Sequence, residues 1–337
     1  MAQQQSFRKN LLPFCLSACL ISACGGGSSG EIQENTPEAN TPHSQTQAPT
    51  PPQRNWDINQ LTADSNWRYA YTVASGIQDL NSFSKHLNAV GSAGYRFISP
   101  FYFTGNNVIS VSMVSVKDVD EKYEYQIVKA EQDGQKKLEL LNEKGASGYQ
   151  YYGDVAFGLD FYSAFVKNVS NPGKYHYRTV SLSVYPEQFV SKANAQGDDG
   201  YKYFGVFFTN LVRQEWLFMT NENAHTKSVY RYKVAKKAPD LASFMAQINE
   251  HGEQGYRYKG QDISIGTIFI RDETQNAKFS YISNGVHTMP DEFHQNASLL
   301  GSKGYGIMTI LHSAEIFVQA RDCSGDLCKV LHPVTQN

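Results

Sequence analysis

The chain has 337 residues, with 30 lysines and arginines against 32 aspartates and glutamates and a net charge of −2. Nothing in so balanced a composition suggests a nucleic-acid-binding protein. The length suits either two ordinary domains or an array of smaller repeats.

The first 23 residues are typical of an export signal. Arg8 and Lys9 precede an apolar stretch, Leu11 to Ala23, that is too short to span a bilayer as a mature helix. Removing residues 1–23 takes away Arg8 and Lys9, so the net charge of −2 becomes −4. The sequence therefore predicts an exported protein without a nucleic-acid partner.

The end of this segment, Leu20-Ile21-Ser22-Ala23-Cys24, resembles the lipobox of bacterial lipoproteins. The resemblance implies that the signal peptide 1–23 is removed and that Cys24 carries lipid, palmitate included. Several acyl chains anchor a protein stably to a membrane. Gly25 after the cysteine implies the outer membrane, on either its periplasmic face or the cell surface. The alternative is an ordinary secretory signal in which the cysteine occurs by chance.

Residues 24–55 are predicted to form a disordered tether behind the lipidated cysteine. From Gly25 to Arg54 the chain is rich in Gly, Ser, Thr, Gln and Pro and has almost no apolar side chain. Such a segment cannot bury enough surface to fold. A flexible chain of this length reaches about 30 Å on average, and its prolines would lengthen that reach.

Two short motifs recur five times in the rest of the sequence. The first is an aromatic-x-tyrosine pair and the second is G-x-x-G-Y, and 26 residues separate the first aromatic residue from the final tyrosine in every copy. The pairs are Tyr69/Tyr71, Tyr123/Tyr125, Tyr175/Tyr177, Tyr230/Tyr232 and Phe279/Tyr281. The glycines are Gly91/Gly94, Gly145/Gly148, Gly197/Gly200, Gly252/Gly255 and Gly301/Gly304. This fixed spacing indicates internal repeats.

Each copy has the pattern of a β-α-β-β unit. Trp67 to Val73 alternates like a half-buried strand, and Leu80, Phe83 and Leu87 form the apolar stripe of a helix. A second strand follows each glycine turn, and a third closes the unit. We expect an α+β fold of five tandem β-α-β-β repeats, with mainly antiparallel sheets and helices packed on one face. The repeats span 66–117, 121–170, 173–223, 228–273 and 277–334, the last with a C-terminal disulfide hairpin.

The repeated glycines are predicted to shape the turn after each helix. The first would adopt the left-handed conformation beyond the last helical residue, and the second would let the backbone reverse. Four copies carry an asparagine three residues before the first glycine (Asn88, Asn142, Asn194 and Asn249), which we expect to hydrogen-bond within that turn. Each helix is expected to cover the aromatic face of its own sheet. Whether the units share one sheet, pair into larger sheets or stand as beads is left open.

These motifs together resemble a small, uncharacterised bacterial domain family with an aromatic-x-Tyr strand and an N-x-x-G-x-x-G-aromatic turn. The resemblance covers all five units, although unit 2 lacks the helix phenylalanine and unit 5 the asparagine. It implies a fold and transfers no catalytic residue.

The cysteines indicate a single disulfide. Cys15 and Cys19 leave with the signal, and Cys24 is the lipidation site. Cys323 and Cys328 remain, and in an oxidising compartment they should close a terminal hairpin. Their four-residue gap matches neither a redox motif nor a four-ligand zinc pattern.

The sequence contains no recognisable catalytic motif. We therefore predict no catalytic residue, metal or cofactor, and treat His287 and His294, seven residues apart, as surface histidines rather than a metal pair. Basic residues do recur beside the tyrosines of the first strand and after each G-x-x-G-Y motif. They would form a basic binding surface if the sheets stand open on one face: Arg68, Arg96, Arg178, Lys202, Arg231, Lys233 and Arg257.

These features favour a lipid-anchored protein of the cell envelope that binds a partner without catalysing a reaction. Five alike units enlarge a surface, whereas an active site needs one unit to differ. The partner would be an envelope protein or an anionic glycan held by the basic surface. The alternatives are an envelope enzyme acting on cell-wall or glycan material at a site between repeats, and a structural spacer.

Overall fold

The computed structural model describes residues 69–329 apart from 76, 78, 106–108, 118–120, 210–212 and 225–226. The predicted signal peptide 1–23, lipidated Cys24, tether 24–55 and Arg68 lie outside the described residues. So do the last residues of the fifth predicted repeat.

The described chain folds into five units of identical element order, strand-helix-strand-strand, as the sequence predicts. The first strands are β1 (Ala70–Ser75), β4 (Tyr123–Lys129), β7 (Tyr175–Ser181), β10 (Tyr230–Ala235) and β13 (Lys278–Gly285). The helices are α1 (Leu80–Ser92), α2 (Gly134–Ala146), α3 (Pro186–Asp198), α4 (Leu241–Glu253) and α5 (Pro290–Ser302). The second strands are β2 (Arg96–Phe103), β5 (Gln150–Phe157), β8 (Lys202–Thr209), β11 (Arg257–Asp262) and β14 (Gly306–Leu311). The third strands are β3 (Ser110–Lys117), β6 (Asp160–Asn168), β9 (Arg213–Asn221), β12 (Gly266–Asp272) and β15 (Ala314–Arg321).

Each unit has its own three-stranded antiparallel sheet with the third strand in the middle, for example in the order β1-β3-β2. The second strand carries a β-bulge at the same position in all five units. Ile98, Tyr152, Phe204, Lys259 and Met308 are the extra residues. This repetition confirms the prediction of an α+β fold with antiparallel sheets.

The helices begin as the sequence indicates. Asp79, Asp133 and Asp240 cap three of them by accepting hydrogen bonds from first-turn N–H groups. Proline opens the other two, α3 and α5. Local capping thus fixes where each helix starts.

The helices end differently from the prediction, because the two glycines of each motif exchange roles. The first glycine lies inside the last helical turn, so the left-handed conformation predicted for it is wrong at Gly91, Gly145, Gly197, Gly252 and Gly301. The second glycine, predicted only to let the backbone reverse, takes the left-handed conformation instead. Its φ is +87° at Gly94, +89° at Gly148, +84° at Gly200, +82° at Gly255 and +82° at Gly304. Each helix therefore ends two residues before the glycine that starts the turn.

The first glycine is needed because the next unit's first strand passes where a side chain would be. A Cβ added to Gly91 would lie 2.3 Å from the carbonyl oxygen of Tyr123, and one on Gly197 would lie 2.0 Å from that of Tyr230. Each helix therefore packs mainly on the first strand of the following unit. The expectation that a helix covers only its own sheet is wrong: it lies between two sheets.

The asparagine and the second tyrosine complete each junction. Asn142 Oδ1 accepts a hydrogen bond of 2.8 Å from Tyr177 N in the next unit, and its Nδ2 donates to Tyr177 O at 3.1 Å. The Tyr177 hydroxyl in turn accepts from Tyr151 N, beside the bulge of the preceding unit, at 2.6 Å. Asn88, Asn194 and Asn249 make the equivalent contact to a first strand. The asparagine thus joins units, rather than only shaping its own turn.

The fifth unit packs on the first in the same way, so the five units form a closed ring. A Cβ on Gly301 would lie 2.1 Å from Tyr69 O, and Tyr69 N donates to Gly301 O at 3.1 Å. The Tyr71 hydroxyl accepts from Ile307 N at 2.9 Å. His294 Nε2, one helical turn before the missing asparagine, hydrogen-bonds Tyr71 O at 2.9 Å.

Because the first and second strands run parallel, the ring has two different faces. The hairpin face carries the connections from first strand to helix and from second to third strand. The turn face carries the G-x-x-G turns and the connections between units. The first described residue, Tyr69, and the start of β1 lie on the turn face.

Candidate functional site

The predicted basic surface is not one surface in the structure. Arg257 and Lys202 are 0% and 2% exposed, so both belong to the interior and the prediction that they lie on an open face is wrong. Arg96 is half-buried. The three remaining described members, Arg178, Arg231 and Lys233, are partly exposed.

Those three side chains are held by neighbouring groups. Arg178 donates to Asp199 at 2.9 Å and stacks 3.6 Å from the ring centre of Tyr201. Arg231 pairs with Asp198 at 2.7 Å, across the junction between units 3 and 4, and with Glu273 at 3.3 Å.

Lys233 follows the same pattern with a neutral partner. Its Nζ donates to Gln254 at 3.0 Å and lies 4.3 Å from the ring centre of Tyr256. Carboxylates balance the charges of the two arginines, and an amide and an aromatic ring hold that of the lysine. These contacts leave less uncompensated positive charge than the sequence pattern predicts.

The buried basic residues lie near the ring axis. Lys259 Nζ donates to Phe204 O at 3.0 Å, and the Tyr152 hydroxyl donates to Ile98 O. Both contacts join the bulge residue of one unit to the bulge residue of the next unit. The same position in successive units of a ring comes within contact distance only close to the ring axis, so the bulges lie there. Burial, followed by the charges of Lys202 and Arg257, holds the pKa of Lys259 well below its usual value.

The C-terminal turn covers the buried Arg257 at the turn face. The predicted disulfide between Cys323 and Cys328 is present. Arg257 donates through Nη1 to Leu327 O and, at 2.9 Å, to Lys329 O, while the Tyr69 hydroxyl donates to Cys328 O at 3.3 Å. The turn therefore fastens unit 5 to units 1 and 4. It sits beside the seam where the ring closes.

Every unit has at least one exposed apolar side chain on the hairpin face, which the sequence analysis missed. Of the nine large apolar residues exposed in the described part of the chain, seven lie at hairpin tips or at the starts of helices. They are Ile109, Leu159, Val184, Tyr185, Ile263, Val286 and Ile310. Leu159 and Ile263 are the most exposed, at 92% and 84%. The sequence feature that could have revealed them is an aliphatic residue inside a turn, such as Leu159 or Ile263.

Two units carry polar groups in place of apolar contacts. In unit 2, Lys137 occupies the helix position that is phenylalanine in the other units, and it pairs with Asp154 at 2.5 Å. Tyr151 and Ser163 also donate to this carboxylate, at 2.7 and 2.8 Å. In unit 5, the buried Glu315 binds His287 beside a hollow on the hairpin face.

His287 and His294 contact different groups: His287 contacts Glu315, and His294 contacts Tyr71. No group of three or more metal-ligating side chains occurs within residues 69–329 as far as these are described. Among the same residues, no helix has the length and apolar character needed to cross a membrane.

Comparison with known proteins adds no further assignment. No family model matches the sequence, and neither a curated protein nor a solved structure shows significant similarity to it.

Proposed function

We propose that this protein is a lipid-anchored scaffold of the cell envelope that binds a protein partner through the hairpin face of its ring, without catalysing a reaction. The observation that carries the proposal is the gathering of seven exposed apolar side chains on that one face. Large contiguous apolar patches mark interaction sites, and these seven side chains supply apolar groups from every unit to the same face. The start of β1 lies on the opposite face, so a tether would leave the hairpin face open to a partner.

The charges of this face favour a partner with basic groups. Carboxylates cluster at the starts of the helices, where they stabilise the helix ends. They are Asp79, Asp133, Glu187, Asp240, Asp291 and Glu292. An anionic glycan is the less favoured partner, because the basic residues expected to hold it are buried or have neighbouring partners.

Photo-crosslinking in whole cells tests the binding face. A photoreactive residue at Leu159 or Ile263 should give a discrete crosslinked product, whereas one at Val169, an exposed apolar residue on the turn face, should not. Leu159→Ser combined with Ile263→Ser should abolish a product formed from position 109. Products from Val169 alone would overturn the assignment of the face.

Cys24→Ala tests the anchor separately. The variant should lose palmitate labelling and leave the membrane fraction, because no acyl chain would remain to hold the ring. Its ring should fold unchanged. Retention of the variant in the outer membrane would contradict lipid anchoring.

A further inference from the structure

Unit 5 contains a hollow on the hairpin face, between the end of β13 and the start of α5. It is an open depression of about 420 Å³, lined by Asn284, Gly285, Val286, His287, Thr288 and Glu292. Small-molecule sites typically measure about 300–1,000 Å³, so the hollow is large enough for one sugar unit.

A buried carboxylate fixes the histidine of this hollow. Glu315 is 1% exposed. Its Oε1 accepts a hydrogen bond from His287 N at 2.9 Å, and its Oε2 lies 3.0 Å from His287 Nδ1. Both oxygens thus hold one residue, which sets the orientation of the ring. Nε2 is the ring nitrogen left to meet a ligand.

The repeat does not explain this pair. His287 lies six residues after Tyr281, and the equivalent position in unit 1 is Ile77. Glu315 lies three residues before the strand partner of Tyr281, and no other unit has a charged residue at the equivalent position: Met113, Ser163, Trp216 and Thr267. Placing a buried carboxylate and a histidine at such a position adds no stability in general. Binding of a ligand would account for the presence of this pair in unit 5 alone.

The lining of the hollow offers both donors and acceptors. Asn284 Nδ2 donates to Asn296 Oδ1 at 3.1 Å, which leaves the Asn284 amide oxygen as an acceptor. Thr288 adds a hydroxyl and Glu292 a carboxylate. The helix α5 starts without a side-chain cap, so its first N–H groups are further donors. No lysine or arginine lines the hollow to balance a negative ligand.

We propose that this hollow binds an uncharged saccharide unit, with His287 Nε2 and the Glu292 carboxylate hydrogen-bonding its hydroxyl groups. Glu315 is a positioning residue that holds the imidazole. The hollow lies on the same face as the proposed protein-binding surface and shares Val286 and Glu292 with it. Crosslinking from Leu159, in unit 2, would not report on it.

The test is a titration of the full chain with N,N′-diacetylchitobiose, followed by ¹H–¹⁵N NMR of the backbone and of the histidine rings. We expect saturable shifts of the amides from 284 to 292 and of His287 Nε2. His287→Phe and Glu292→Gln should each weaken binding about tenfold or more. The matched variants His176→Phe, on the turn face, and Glu187→Gln, at the start of α3, should bind as the unchanged protein does.

Glu315→Gln separates positioning from folding. The variant keeps the size of the side chain, and we expect weaker binding together with a changed tautomer of His287 in its ¹⁵N shifts. A purely structural role would leave those shifts unchanged. No saturable shift of His287 with the disaccharide, unaltered affinity in His287→Phe, or tighter binding of an anionic hyaluronan disaccharide would each overturn the proposal.

Discussion

Replacing Gly301 with alanine tests whether the ring is closed. Gly301 lies in the last turn of α5, and a Cβ there would lie 2.1 Å from the carbonyl oxygen of Tyr69 in unit 1. Non-bonded heavy atoms pack at about 3.5 Å, so the helix and the strand would have to separate by roughly 1 Å or more. Overpacking of this kind costs about 1–3 kcal/mol. In a helix that faced no strand, the same change would stabilise the protein by about 1 kcal/mol.

The sign of the effect therefore distinguishes a closed ring from an open chain of units. Urea unfolding followed by circular dichroism should show a loss of about 1–3 kcal/mol for Gly301→Ala. Gly197→Ala, where the Cβ would lie 2.0 Å from Tyr230 O, should cost a similar amount. Gly205→Ala, with no atom within 4 Å, should change stability little. A stabilising Gly301→Ala beside a destabilising Gly197→Ala would refute ring closure.

Three further predictions concern the junctions, the seam and the axis. Asn249→Ala removes hydrogen bonds of 2.9 and 3.2 Å to Tyr281 and should cost about 1–3 kcal/mol in urea unfolding, and an unchanged stability would contradict its role at the junction. Cys328→Ser opens a short disulfide loop and should cost about 2 kcal/mol by calorimetry, with no further effect of reductant on the variant. The pKa of Lys259 is lower in the folded protein than the value of 10.5 expected in the unfolded chain. Between these two pKa values the unfolded chain binds more protons than the folded protein, so the free energy of unfolding rises with pH. Lys259→Met should remove this rise, and parallel pH profiles of the two proteins would contradict it.

The unit could be predicted from the sequence because its signals are local. Alternation over Trp67–Val73, the apolar stripe from Leu80 and the recurring glycines each report on a few neighbouring residues. The element types and their order follow from these patterns. The conformation of the first glycine did not, because a glycine near a helix end indicates either a left-handed residue or a close approach of another chain segment. Gly91 lies where another segment approaches closely, and Gly94 takes the left-handed conformation.

The partner of each helix could not be predicted in this way. An apolar stripe shows that a helix face is buried but not which sheet buries it, and Phe83 contacts both Phe97 of its own unit and Phe157 of the next. The second tyrosine of each aromatic-x-tyrosine pair indicates which sheet the helix packs against. A buried hydroxyl needs a hydrogen-bond partner, and Tyr125 finds it in Phe97 N of the preceding unit.

The candidate site was predicted only in part for a related reason. Alternation along a strand assigns a residue to one side of its sheet, but it does not show whether that side faces solvent or the ring axis. Arg257 and Lys202 open the second strands, where the ring brings successive units together. The pairing of His287 with Glu315 crosses 28 residues and has no local pattern.

Closure explains why the first and last units resemble the others so closely. In an open array, the terminal repeats expose an apolar face and need polar caps. Here the helix stripe of unit 5 meets β1, so neither end is exposed and no capping repeat is required. The seam between units 5 and 1 differs from the other four junctions in having no peptide connection across it. The disulfide-closed turn binds Tyr69 at this seam, where a covalently stiffened contact compensates for the missing connection.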